Sequence, residues 1–179
     1  ARPVRRAAWL PDWKNPLTLR IGLLLGLSGS MFFGLNAYMG NLLEQQGKIS
    51  MLSEALFWYN IAQVFASLVV LKMARRWVGS RTTIVITAAL SILGTTGTVF
   101  LEGWWFIASA TVMSFVAGIL LILLVALPPL LVSSAETGRL SAGTFLVGYT
   151  MGFCVPMLGG LIADTTGDPR HAIITMIAY

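Results

Sequence analysis

Residues 103–135 read GWWFIASATVMSFVAGILLILLVALPPLLVSSA and contain no Asp, Glu, Lys or Arg. An α-helix rises about 1.5 Å per residue, so about 20 mainly apolar residues cross a hydrocarbon core of about 30 Å. This run exceeds that length, and Pro128-Pro129 is expected to end or bend its last turn, because proline cannot donate a backbone hydrogen bond. The stretch therefore predicts a membrane-spanning helix.

The composition of the whole chain also indicates that the protein is surrounded by lipid. Hydrophobic residues make up 56% of the 179 residues and charged residues 11%, whereas soluble domains have about 45–50% and about 25%. A soluble chain with so few charges would leave large apolar areas facing water. The composition excludes an ordinary soluble domain and predicts an integral membrane protein.

Further uncharged runs lie on both sides of this stretch. The predicted spans are about 21–43, 51–72, 82–101, 104–132 and 141–163, followed by an incomplete sixth span over 171–179. Strands of a membrane barrel alternate over about ten residues, but these runs are continuously apolar for longer. We therefore predict an all-α, multi-pass protein with six helices, the last of them truncated.

The segment before the first span, residues 1–20, is polar and basic and contains Pro3, Pro11 and Pro16. This composition is typical of a linker, and the apolar run that follows is too long for a signal peptide. The sequence opens without Met and stops inside a predicted helix, so we expect a fragment. It would consist of a cytoplasmic linker over 1–20 and a transmembrane helical half over 21–179.

The basic residues predict the orientation, because Lys and Arg are enriched in cytoplasmic loops. One side of the predicted bundle holds ten of them and the other side two: Arg2, Arg5, Arg6, Lys14, Arg20, Lys72, Arg75, Arg76, Arg81 and Arg139 against Lys48 and Arg170. The linker and the loops at 72–81 and 133–140 are therefore placed in the cytoplasm. A bacterial inner (cytoplasmic) membrane is the expected location.

The net charge of +5 does not indicate nucleic-acid binding. Such binding needs basic residues interleaved with aromatic residues on one exposed face, whereas here they fall between long uncharged runs. No carboxylate or basic side chain lies deep in a predicted span, and Cys154 is the only cysteine. We therefore expect a lipid bilayer as partner, and no nucleic acid, cofactor, metal site or catalytic residue.

Polar side chains within spans are the main candidates for function, because they cost free energy in lipid and usually face the bundle interior or a wet cavity. Those singled out are Asn36, Asn60, Gln63, Ser114, Thr144 and Tyr149. Each could instead bond a neighbouring helix and only stabilise packing. That alternative is weakest for the carboxamides, whose two donors and two lone pairs one neighbour rarely satisfies.

Two sequence patterns carry a family resemblance. The first is the stretch 71–81, LKMARRWVGSR, which lies at and beyond the end of the second span. The second begins at Pro156, continues through Gly159-Gly160 and reaches ADTTG at 163–167, where the fifth span ends. With the basic cytoplasmic loops, they resemble the C-terminal six-helix half of a major facilitator superfamily transporter. The first stretch resembles the family's basic loop without its acidic residue, and the second the end of the eleventh helix. Residues 26–47 are similar to the seventh helix of cyanate and nitroimidazole permeases.

The resemblance implies a bundle of two inverted three-helix repeats, with a solute site between this half and an N-terminal six-helix half of the same polypeptide. It implies that spans one, two, four and five line the cavity. Asn36, Asn60, Gln63, Tyr149, Ser114 and Thr144 would then be candidates for the substrate path. In the basic loop, Arg75, Arg76, Gly79 and Arg81 would be candidates for cytoplasmic gating.

The function expected from these features is secondary transport of a small polar or weakly ionised solute by alternating access. A membrane scaffold or assembly protein is one alternative. Another is a rhomboid-like intramembrane serine protease, since Gly26-Leu27-Ser28-Gly29 matches its nucleophile signature and His171 lies in the last helix. Catalysis requires contact of about 3 Å, and at 1.5 Å per residue Ser28 and His171 should differ in depth by about 20 Å.

Overall fold

The structure, a computed structural model, describes residues 10–178, and all regular elements in that range are helical. They are α1 (Pro16–Gln45), α2 (Leu52–Trp77), α3 (Arg81–Phe100), α4 (Trp104–Val125), α5 (Pro128–Leu131), α6 (Ser134–Thr166) and α7 (Arg170–Ala178), with a 3₁₀ turn over Ile49–Met51. Helices α1, α2, α3, α4 and α6 are long and apolar enough to cross a bilayer. The prediction of an all-α integral membrane protein is confirmed at that level.

Several predicted boundaries differ from those in the structure. The predicted basic loop at 72–81 is mostly helical, because α2 continues to Trp77 and α3 begins at Arg81, which leaves residues 78–80 as the turn between them. The first helix begins at Pro16 rather than at 21, because Asn15 Oδ1 accepts the backbone N–H of Leu17 at 3.0 Å and a proline fits the first turn. Helix α6 extends at both ends beyond the predicted 141–163, and its polar first turns lie outside the apolar run. Residues 1–9 of the predicted linker, and Tyr179, lie outside the described residues.

The predicted span 104–132 is divided into two helices. Helix α4 ends at Val125, and the short helix α5 begins at Pro128. A proline at 128 has no N–H to donate to the carbonyl of residue 124, and its ring crowds that carbonyl. The break therefore follows directly from the Pro128-Pro129 pair.

The helices can be divided into two groups of three, and helices of one group pack on helices of the other. Helix α1 packs most extensively on α6 and also contacts α7, while α4 packs on α2 and α3. If α1, α2 and α3 form one group and α4, α6 and α7 the other, the first helix of each group lies against the second and third helices of the other group. The two groups are therefore interlocked rather than side by side.

Small residues bring α1 and α6 close together. A Cβ added at Gly26 would lie 2.5 Å from Met151 Cβ, and one at Gly148 would lie 2.7 Å from Leu25 Cδ2. Backbone contact of this kind lets helices gain dispersion energy in lipid, where no hydrophobic force drives them together.

Helix α3 buries one row of hydroxyl groups along its length. Thr87, Ser91 and Thr95 are buried, and each donates to the carbonyl four residues earlier in the same helix. Apolar side chains such as Leu93 and Phe100 point outward and are 65% and 77% exposed. Since the hydroxyls satisfy themselves within the helix, the outer side of α3 is left free to face lipid.

The loops form two groups at opposite ends of the molecule. At one end Gln46 joins the α1–α2 loop to the α3–α4 loop, donating to the carbonyl of Leu101 at 3.2 Å and accepting from the N–H of Gly103 at 3.3 Å. Gln45 donates to Asp168 of the α6–α7 loop at 3.1 Å. At the other end Arg139 donates to the carbonyl of Leu10 at 3.0 Å. We call these the outer and inner ends, following the predicted orientation.

Candidate functional site

A groove runs between α1 and α6 on the surface of the bundle. It has a volume of about 650 Å³ and is lined by Phe33, Ala37, Tyr38, Tyr149, Gly152, Phe153, Pro156 and Met157. Tyr149 is 64% exposed, and its ring stacks on Phe145 of its own helix at 5.9 Å between centroids. Aromatic rings therefore provide much of the lining, and two phenol hydroxyls are its polar side-chain groups.

A second, polar space continues from the groove towards the outer end. It has a volume of about 400 Å³ and is lined by Tyr38, Asn41, Glu44, Gln45, Ala163, Asp164, Gly167 and Pro169. Tyr38 lines both spaces, so they meet at its ring. Among the described residues that line the two spaces there is no Lys or Arg, whereas Glu44 and Asp164 are exposed carboxylates. We call the second space the acidic mouth.

Tyr38 is held in place by the backbone of α6. Its hydroxyl donates to the carbonyl of Pro156 at 3.0 Å. The same hydroxyl lies beside Gly160, so a side chain on residue 160 would clash with it. Tyr38 was not a predicted path residue, because no sequence pattern pairs it with a carbonyl 118 positions away.

The rim of the acidic mouth carries one further carboxylate, Asp168. The backbone N–H of Arg170 donates to its Oδ1 at 2.9 Å and lowers the pKa of this carboxyl, with a further lowering from the hydrogen bond of Gln45. Since a hydrogen bond to the charged form favours that form, Asp168 stays ionised at neutral pH. The charge of Arg170 acts in the same direction.

The groove extends on its inner side to α4. A small space of about 40 Å³ is lined by residues of α1, α4 and α6 and shares Phe33 and Tyr149 with the groove. Leu121 and Val125 provide the α4 side of this space. The groove therefore belongs to a broader face to which three helices contribute.

One predicted path residue, Tyr149, lines this face, and two others, Gln63 and Asn36, lie next to it. Gln63 of α2 is half-buried against α4, since a Cβ added at Gly118 would lie 3.5 Å from its Nε2. Gly118 precedes Leu121 by three residues, so the two share one side of α4. Asn36 is half-buried and follows Phe33 by three residues on α1. Tyr149 thus lines the groove, whereas Asn36 and Gln63 line neither the groove nor the small space and lie beside its α1 and α4 sides. We call the groove together with these two flanking residues the polar-aromatic face.

The other three predicted path residues have different surroundings. Asn60 is exposed, and its amide donates to the carbonyl of Leu56 in its own helix at 2.8 Å. Ser114 is buried and donates to the carbonyl of Tyr59, which joins α4 to α2. Thr144 is buried, and its Oγ1 has no hydrogen-bond partner within residues 10–178. Neither Ser114 nor Thr144 lines the groove, because both lie in helix–helix contacts.

The predicted gating residues lie at the inner end. Arg75 and Arg76 are exposed in the last turn of α2, and Arg81 begins α3. Gly79 between them has a φ of +79°, a conformation that side chains disfavour. A Cβ at Gly79 would lie 3.4 Å from Leu130 of α5. The turn over 78–80 therefore adjoins α5, and within the described part of the chain the three arginines that flank this turn form no ion pair.

The serine and histidine of the protease alternative do not meet. Ser28 is buried, and its hydroxyl has no hydrogen-bond partner among the described residues. His171 lies at the outer end, where its Nδ1 is 2.7 Å from the hydroxyl of Thr166. No Ser28–His171 pair is therefore present in residues 10–178.

Together, the described residues can surround a small organic molecule with aromatic rings, present amides beside it and hold negative charge at its outer side. Comparison of the chain with models of protein families, with curated proteins and with solved structures gives no match. What the groove binds is therefore inferred from its own chemistry.

Proposed function

We propose that this chain is the C-terminal half of a secondary transporter that moves a small polar or weakly ionised solute across the membrane by alternating access. The observation that carries the proposal is the polar-aromatic face. Tyr149 lines a groove of about 650 Å³, and Gln63 and Asn36, which are far from it in the sequence, lie beside residues of α4 and α1 that border the same region. Small-molecule sites typically have about 300–1,000 Å³.

The helix arrangement supports this proposal. The polar-aromatic face is built from α1, α2, α4 and α6, which correspond to spans one, two, four and five. These are the spans that the family resemblance assigns to the cavity. The exchange of partners between the two groups of three helices is the arrangement expected of two inverted repeats. The outward apolar side of α3 suits a peripheral helix in contact with lipid.

In this proposal the solute lies between the polar-aromatic face and the N-terminal half of the same polypeptide. The half-buried amides of Asn36 and Gln63 replace hydrogen bonds that the solute loses with water. Rings such as that of Tyr149 cover its apolar part. Rocking of the two halves then opens the site to one side of the membrane at a time, and the basic stretch at 72–81, formed by the end of α2 and the start of α3, lies where the inner opening would form.

Transport by the full-length polypeptide in proteoliposomes tests the proposal. Uptake of radiolabelled small amines, amides and carboxylates would be compared for wild type, Asn36→Ala, Gln63→Ala and Tyr149→Ala. We expect each substitution to lower kcat/KM for the transported solute by about tenfold, the effect of about 1.4 kcal/mol of lost interaction.

Thr96→Ala is the matched control, because the Thr96 hydroxyl donates to Ile92 of its own helix α3 at 2.8 Å. Its transport kinetics should equal those of wild type. Unchanged kinetics for all three face variants at normal expression would contradict the proposal.

A further inference from the structure

We propose that the solute of the groove is a small organic amine, bound as its protonated cation with its hydrocarbon body between α1 and α6. This inference rests on the proposed transport function and makes its substrate class more specific, since the inferred solute is a weak base that carries a full positive charge when it binds. It is argued from three features of the groove: the charge at its mouth, the rings of its lining and the free lone pairs of Tyr38.

The charge at the outer opening favours a cation. Glu44 and Asp164 line the acidic mouth, and no Lys or Arg is among the described residues that line the mouth or the groove. Arg170 and His171 act on Asp168 at the rim but line neither space. Charge of one sign around a cleft with low-dielectric walls raises the local concentration of ions of the opposite sign.

The lining of the groove accommodates the rest of such a molecule. Phe33, Tyr38, Tyr149 and Phe153 present aromatic rings, and Met157 and Pro156 add aliphatic surface. The face of an aromatic ring carries partial negative charge and attracts an ammonium group within about 6 Å. A carboxylate in the same position would meet negative ring faces and two carboxylates.

Tyr38 adds a directional preference where the two spaces meet. Its hydroxyl has one proton, which it donates to the carbonyl of Pro156. The oxygen is left with lone pairs, so it can accept a hydrogen bond from a ligand but has no proton to donate. An ammonium group supplies such donors and a carboxylate supplies none. Tyr38 is therefore the specificity-determining residue of the inferred site.

Three probes of matched shape and different charge test the inference. Phenethylamine is a cation at pH 7, phenethyl alcohol is neutral, and 3-phenylpropionate is an anion. Binding of each radiolabelled probe to the purified full-length protein in detergent would be measured by equilibrium dialysis. We expect phenethylamine to bind most tightly and 3-phenylpropionate most weakly.

Variants show which groups produce this order. Asp164→Asn and Glu44→Gln should each weaken phenethylamine binding on the order of threefold to tenfold and leave phenethyl alcohol unchanged, because only the charged probe senses the carboxylates. Tyr38→Phe should weaken phenethylamine more than phenethyl alcohol. Glu136→Gln is the control, since Glu136 is an exposed carboxylate at the opposite end of α6.

Equal binding of the amine and the carboxylate would overturn the inference, and so would Asp164→Asn and Glu44→Gln variants that match the Glu136→Gln control. These results are distinct from failure of the transport proposal. If Tyr149→Ala abolishes transport of a non-amine solute while the amine shows no preference, transport stands and the amine inference falls. If the amine binds as expected but is not transported, the site stands and the transport proposal falls.

Discussion

At the scale of single residues, Tyr59 connects three helices. Its ring is fully buried and stacks on Phe32 of α1 at 5.1 Å between centroids, and its hydroxyl donates to the Phe32 carbonyl at 2.8 Å. Its own carbonyl accepts the hydroxyl of Ser114 from α4. In lipid such hydrogen bonds stabilise helix contacts by about 0.6 kcal/mol on average and up to about 1.7 kcal/mol.

We expect Ser114→Ala to lower the free energy of unfolding by about 0.6–1.7 kcal/mol, because the substitution removes the bond between α4 and α2. Unfolding of the purified protein from mixed micelles by increasing SDS would measure it. Thr111→Ala on the same helix is the control, since the Thr111 hydroxyl donates within α4, to Ile107 at 2.7 Å. If both variants unfold alike, the hydrogen bond to Tyr59 contributes nothing.

At the scale of helices, the contact between α1 and α6 depends on residues without side chains. A Cβ at Gly26 would lie 2.5 Å from Met151 Cβ and 3.3 Å from the carbonyl of Gly148. Neither atom is the flexible end of a long side chain, so the two helices would have to separate. The groove lies along the same pair of helices, and its width depends on this contact.

Gly26→Ala should therefore destabilise the protein by about 1–3 kcal/mol, the usual cost of adding a methyl group to a packed interface. Gly138→Ala is the matched control, because nothing lies within 4 Å of its added Cβ in the first turns of α6. Alanine is a better helix former there and should stabilise slightly. The same SDS titration measures the stability of both variants. A Gly26→Ala variant as stable as wild type would contradict the close approach of α1 and α6.

The outer loops are joined by one ion pair that depends on pH. Lys48 Nζ lies 2.9 Å from Glu102 Oε2. The hydrogen bond from Lys48, followed by its charge, lowers the pKa of Glu102 below its usual 4.5. A carboxyl with a lowered pKa in the folded state stabilises that state above the usual value, and the contribution is lost as the pH falls through the folded pKa.

Glu102→Gln should therefore lower the melting temperature slightly at pH 7, and the difference from wild type should shrink as the pH falls below 4.5. Both side chains are well exposed, so the effect is small. Thermal unfolding in detergent across this pH range would measure it. In 1 M salt the difference should vanish at pH 7, because the Debye length falls to about 3 Å. A difference that persists at low pH would contradict the assignment to this pair.

At the scale of the whole molecule, charge and exposed apolar surface together indicate how the bundle sits in a bilayer. The inner end carries Lys72, Arg75, Arg76, Arg81 and Arg139, whereas Lys48 and Arg170 lie at the outer end. Trp104 and Trp105 are exposed at the outer start of α4, a depth that aromatic side chains prefer. Among the described residues named here, those that the sequence assigned to the cytoplasm thus lie at one end of the bundle, and those assigned to the outside lie at the other end.

Single cysteines report that orientation in intact cells. In a Cys154→Ala background, Ser50→Cys in the exposed outer loop should react with a membrane-impermeant maleimide added outside. Arg75→Cys should react only after the membrane is permeabilised, because Lys- and Arg-rich loops remain cytoplasmic. Labelling of Arg75→Cys from outside would contradict the orientation. The full-length Cys154→Ala polypeptide without an added cysteine gives the background level of labelling.

Several features follow from the amino-acid sequence alone. The five long helices, the break at Pro128-Pro129 and the gathering of basic residues at one end were all predictable. Each depends on local properties: the transfer of apolar side chains into lipid, the missing N–H of proline and the charge of each loop. Candidate residues such as Gln63 and Tyr149 could be named for the same reason, since a polar group in an apolar run is visible without a structure.

Other features required the three-dimensional arrangement of the helices. Only packing shows that Tyr38 donates to Pro156 and that Gln63 lies beside Gly118. It also buries the hydroxyls of Thr87, Ser91 and Thr95 on α3 and turns Ser114 towards Tyr59 rather than into the groove. The apolar content of a helix indicates that it enters the membrane but not which side faces a neighbour. That choice depends on contacts between residues far apart in the chain, which settle together when the helices pack.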